Sequence, residues 1–116
     1  MHIQINTDHN LRGGESVEES VRGTVEDALQ RFSGQISRVE VHLADENAGK
    51  HGGNDKRCMM EARLEGHAPV AVTEHAATVG QAIDGAAQRL VHALDHTFGR
   101  LRDRRTRAAP PVPLED

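Results

Sequence analysis

Five arginines crowd into the short stretch from Arg100 to Arg107: Arg100, Arg102, Arg104, Arg105 and Arg107. Guanidinium groups hold their charge at every physiological pH and present forked donors that match phosphate oxygens. Asp103 is the one acid among them, so the stretch carries a formal +4. The whole chain carries −4, which leaves −8 on the remainder. Such segregation reads as a basic arm on an acidic body. It reads equally as a solvated helix end whose cations meet the negative pole of the helix dipole.

Other residue types that could do chemistry are placed less suggestively. His92 and His96 lie at i, i+4 with Asp95 beside them, but two imidazoles fall short of the three or four convergent donors a zinc site needs. The intervening residues do not form the HExxH pattern. His42, His67 and His75 fall on other elements. They read as exposed or half-exposed polar groups. Cys58 sits at an inward strand position, where a free thiol behaves as a small hydrophobe. The pairs Gly13-Gly14 and Gly52-Gly53 lack the spacing and following Lys-Ser or Lys-Thr of a phosphate loop. Glu15, Glu18, Glu19, Glu26 and Asp27 are helix-surface acids, not a buried catalytic pair. The sequence therefore predicts no catalytic residue, no metal and no cofactor.

Basic residues that could meet phosphate fall in three places. One is the extended second helix, with Arg89 and Arg100 to Arg107. Another is an outward strand face with Arg38, Arg57 and Arg63, where alternation with Glu40 and Glu61 favours cross-strand ion pairs. The third is a loop containing Lys50 and ending at Lys56. Aromatic side chains are confined to Phe32 and Phe98. A base-stacking platform for single-stranded RNA is thereby excluded, and any RNA contact must run through phosphates and shape.

At 116 residues with one cysteine, the chain fits one domain with no intrachain disulfide. No apolar run approaches the length of a membrane span. The N-terminus lacks a basic and then apolar leader. These features point to the cytoplasm, with no membrane partner and no small-molecule substrate.

Periodicity supplies the elements that position these groups. Ile3 and Ile5 alternate with polar neighbours as a short strand. Ser16-Val17-Glu18-Glu19 matches a capping box, and Val17, Val21, Val25, Ala28, Leu29 and Phe32 form a helical stripe. Gly23 weakens that helix, and Gly34 just past the stripe is a good C-terminal stop. Val39, Val41 and Leu43 face inward from a strand over Ser37 to Ala44. Cys58, Met60, Ala62 and Leu64 do so from Lys56 to Glu65. A turn at Gly66-His67-Ala68-Pro69 leads to a fourth strand around Val70 to Thr73. Thr78-Val79-Gly80-Gln81 caps a second helix running to about Arg105. The predicted class is α+β, in the order β-α-β-β-β-α, a four-stranded sheet with two helices packed on one face. One domain is expected over 1–107, followed by a Pro-rich disordered tail over 108–116.

Ile3-Gln4-Ile5-Asn6 before His9-Asn10, Leu29-Gln30-Arg31-Phe32, Val39-Glu40-Val41-His42-Leu43 and Met60-Glu61-Ala62-Arg63-Leu64 follow one another in this order. With Gln81-Ala82-Ile83-Asp84 and then Arg89-Leu90, the chain over roughly residues 1 to 105 resembles the ribosome hibernation-promoting factor and RaiA family. The resemblance implies a short-form protein that binds small-subunit ribosomal RNA in the channel used by messenger and transfer RNA. It implies silencing or protection of idle ribosomes under stress, by a monomer or weak dimer. Basic residues along the helices are the implied contacts. Arg89, Arg100, Arg102, Arg104, Arg105, Arg107, Arg31, Lys56, Arg57 and Arg63 are the candidates here.

The chain departs from the family pattern at Thr78 and Gly80, where an acid and a tyrosine are usual. It departs again at His92, Asp95 and His96, where Lys or Arg is common. Its first helix is net acidic. A protein-interaction module that keeps the fold without the RNA site is the alternative reading.

Overall fold

A computed structural model describes residues 1–8, 14–46 and 55–108, of which 14 and 105–108 are described in backbone only. The elements run β1 (His2–Thr7), α1 (Gly14–Leu29), a 3-10 turn (Gln30–Phe32), β2 (Ile36–Asp45), β3 (Lys56–Leu64), β4 (Val70–Ala76) and α2 (Val79–Ala108). The strands form one sheet in the order β1-β2-β3-β4. β1 and β2 are parallel, which requires the crossover that α1 provides. β2, β3 and β4 form an antiparallel meander. The expected order and class are both present.

Strand alternation decides which face is covered. Val39, Val41 and Leu43 of β2 and Cys58, Met60, Ala62 and Leu64 of β3 are buried, and their alternating neighbours are not. The covering layer comes from Val21, Val25 and Leu29 of α1 and from Ala82, Ile83, Ala86, Ala87, Leu90 and Leu94 of α2, in the same core cluster. Fully burying one large aliphatic side chain contributes about 1.5–3 kcal/mol. An exposed ion pair contributes about 0–1 kcal/mol. The core therefore holds the fold, and the many surface ion pairs act chiefly on the surface potential.

The elements differ from expectation at their ends. α1 begins at Gly14, so Ser16 lies inside the first turn and not at the cap. Glu15 supplies a negative charge at the positive end of the helix dipole there. The helical segment ends just before Gly34, as expected, but without a left-handed residue there. The only positive-φ glycine among the described residues is Gly66, at φ 75° in the β3–β4 turn. α1 instead tightens into the 3-10 turn. Ser33 N–H donates to the Gln30 carbonyl at 3.2 Å and Gln35 N–H to the Phe32 carbonyl at 2.8 Å, so free carbonyls find partners without a left-handed residue. β4 runs to Ala76, beyond Thr73, and α2 to Ala108, beyond Arg105. At the start of α2, Gln81 N–H donates to Thr78 Oγ1 at 3.1 Å, as the capping motif requires. Gly13, Lys50, Gly52-Gly53 and the prolines at 110, 111 and 113 lie outside the described residues.

Candidate nucleic-acid interface

α2 has 30 residues and is roughly 45 Å long. Its last fully buried side chain is Leu94. Phe98 remains partly buried, stacked on Phe32 with ring centroids 5.5 Å apart. Beyond it the helix leaves the core and carries the arginines outward.

At roughly 100° per residue, Arg89, Arg100 and Arg104 share one flank of α2. That flank faces β4 and the turn before it. Arg89 Nε lies 3.3 Å from Glu74 Oε2 of β4. Arg100 and Arg104 overhang a cleft of about 250 Å³ lined also by His67, Pro69, Val70 and Thr97. Arg102 points the other way, into a groove of about 480 Å³ with Arg31, Phe98 and Asp95. Arg100, Arg102 and Arg104 are exposed and make no ion pair among the described residues. Arg105 and Arg107 lie on the same helix, their side chains outside the described set.

The remaining candidates are engaged with carboxylates. Arg31 Nη2 is 2.7 Å from Asp95 Oδ2, and its guanidinium lies over the Phe32 ring at 4.4 Å. Lys56 Nζ meets Asp45 at 3.1 Å and Asp55 at 3.5 Å. The hydrogen bond to Asp45, foremost, holds its ammonium pKa above the ordinary value. Arg57 is 3.9 Å from Glu46, which also accepts from the His75 ring at 2.9 Å. On the open sheet face, register sets Arg38 opposite Arg63 and Glu40 opposite Glu61. Like charges thus face each other directly, and attraction runs diagonally and along the strands. Arg63 reaches Glu40 and Glu61, both at 3.3 Å, and Arg38 reaches Glu40 at 3.4 Å. The ion-pair reading of this face holds.

His92 and His96 are exposed on α2. No group of three or more His, Cys, Asp or Glu that could hold a metal ion occurs among the described residues. Cys58 is fully buried, and burial pushes its thiol up to about 12. A thiolate nucleophile is not available there.

Sequence reasoning missed Glu74 and Gly85. Glu74 pairs across to Cys58 and so projects toward the helices, not toward solvent. Its side chain crosses α2 at Gly85, where a Cβ would sit 2.5 Å from Oε2 and 2.7 Å from Cγ. A glycine in the middle of a long helix was the available signal, since it marks a close approach.

Fold and side chains together define an α+β domain in which three of the described arginines without a carboxylate partner, Arg100, Arg102 and Arg104, stand near one end of its longer helix. The family model described as sigma 54 modulation protein / S30EA ribosomal protein matches residues 3–102, and the chain belongs to that family. Among curated proteins no sequence matches significantly. Solved structures share the fold. The Protein Y N-terminal domain of Thermus thermophilus superposes with a TM-score of 0.63 at 24% identity, covering 79% of this chain and 93% of that one. A ribosomal subunit interface protein from Coxiella burnetii gives 0.69 at 14% identity, covering 85% and 99%. Among the described residues, no helix is long and apolar enough to cross a membrane.

Proposed function

We propose that this protein binds the small ribosomal subunit through ribosomal RNA in the channel used by messenger and transfer RNA. Bound there, it keeps idle ribosomes silent or intact under stress, as a non-enzymatic cytoplasmic factor. Family membership supports the ribosomal partner. The observation that carries the RNA reading is the exposed flank of α2, where Arg100 and Arg104 have no carboxylate partner among the described residues. Unpaired guanidiniums on a projecting helix neutralise phosphates without first breaking an internal bond. Arg89 lies on the same flank but must first release Glu74, and Arg102, Arg105 and Arg107 are further candidates on the same helix. Arg31, Lys56, Arg57 and Arg63 contribute only by exchanging a carboxylate for a phosphate.

Sedimentation with purified small subunits tests this reading. Wild-type protein travels with the subunits at low salt and leaves them as salt rises. Arg100→Ala/Arg104→Ala binds roughly tenfold or more weakly. Protein that stays at the top of the gradient at low salt contradicts the proposal.

The exposed acids Glu15, Glu18, Glu19, Glu26 and Asp27 on α1 favour a second reading, a protein-interaction module. A partner retained after nuclease treatment and high salt distinguishes it.

A further inference from the structure

A groove of about 500 Å³ runs between α1 and α2 on the side away from the sheet. Ala28, Ala87 and Val91 form its apolar floor, and Asp27 and Asp84 stand on its rims. Neither aspartate has an ion-pair partner among the described residues. Further along α2 stands Arg102, also unpaired. Its guanidinium lies back toward Gly99, 3.9 Å from where a Cβ on that glycine would be.

Asp84 and Arg102 are separated by five full turns at roughly 3.6 residues per turn, so they recur on one stripe of the helix about 27 Å apart. An acid and a base at the two ends of one stripe are self-complementary. A second copy turned by a two-fold axis near residue 93 lays its α2 antiparallel, with each Arg102 opposite the other copy's Asp84. The same operation sets Gly99 opposite Ala87, so little side-chain bulk separates the two backbones there.

We infer that the α1–α2 groove and the stripe from Asp84 to Arg102 form a self-association surface, and that its occupant is the α2 helix of a second copy of this chain. A two-fold axis satisfies both charged ends at once, as an isologous interface must. Any unrelated partner would have to reproduce both signs at the same separation. The flank bearing Arg89, Arg100 and Arg104 points elsewhere on the helix and stays open in this dimer. The inference goes beyond the ribosomal reading and does not depend on it. Exposed ion pairs dominate the contact, so the dimer is weak and salt-sensitive.

Sedimentation equilibrium of the full chain, free of RNA, tests it with charge swaps at exposed positions. Wild-type protein associates at low salt and dissociates at high salt. Asp84→Arg places arginine against Arg102, and Arg102→Glu places glutamate against Asp84. Each variant alone is therefore monomeric, with its dissociation constant raised at least about tenfold. An equimolar mixture of the two restores both attractions and the dimer, as does the double variant Asp84→Arg/Arg102→Glu. Circular dichroism confirms that each variant is folded. Wild-type protein that is monomeric at every concentration overturns the inference. So does a dimer indifferent to either swap, or a mixture that stays monomeric.

Discussion

Glu74 is the side chain that most changes the meaning of its neighbours. It projects to the helix side of an edge strand, passes over Gly85 and meets Arg89, the arginine nearest the core on the basic flank. Replacing a mid-helix glycine with alanine ordinarily gains about 1 kcal/mol. Here the new methyl group must displace the Glu74 stem. We expect Gly85→Ala to be less favourable by at least about 1 kcal/mol with Glu74 present than in a Glu74→Ala background. A double-mutant cycle by urea denaturation measures that coupling, and additive effects would remove the contact from the account. Cys58 makes a pH prediction. Its folded pKa of about 12 lies above the ordinary 9.0, so the fold favours the protonated thiol. The stabilisation is fully present below about pH 9 and is lost as pH rises from there toward 12. A Cys58→Ala variant should show a shallower loss of stability across that alkaline range, while near neutrality the two pH profiles run parallel, offset by the cost of truncating a buried side chain.

At the scale of elements, α2 begins with a defined cap and ends beyond the core. Thr78 Oγ1 accepts from Gln81 N–H at the first turn. Thr78→Ala should lower stability by about 1 kcal/mol, read as an unchanged slope and a shifted midpoint in denaturant. That cap was legible because its residues satisfy each other locally. So were the inward positions of β2 and β3, where period-two alternation is uninterrupted. The start of α1 was not legible, since Gly14 and Ser16 both suit a helix entry and propensity does not separate them. Its end was legible in place but not in form, because Gly34 has the composition of a left-handed stop while the 3-10 turn satisfies the carbonyls first. The inward face of Glu74 depended on register with β3, which residue types on β4 alone do not reveal. Arginine pairing on the open sheet face was readable from alternation with Glu40 and Glu61. The pairing of Arg31 with Asp95 was not, because it joins segments far apart in the chain.

At the scale of the whole molecule, more of the basic side chains among the described residues are neutralised where they stand than are left open. Lys56, Arg57, Arg63 and Arg31 each face a carboxylate, whereas Arg100, Arg102 and Arg104 near the end of α2 are open to solvent. An acidic body with one free cationic helix end should approach polyphosphate in a single orientation, with the end of α2 leading. Repulsion between the α1 acids and phosphate should make the encounter weaker than the arginine count suggests. The most direct test is the salt dependence of small-subunit binding for wild-type protein and Arg100→Ala/Arg104→Ala. If each arginine neutralises one phosphate, the slope of log affinity against log salt becomes shallower by roughly 1.4–1.8 in the variant. An unchanged slope would show that these two guanidiniums do not meet RNA and would contradict the account.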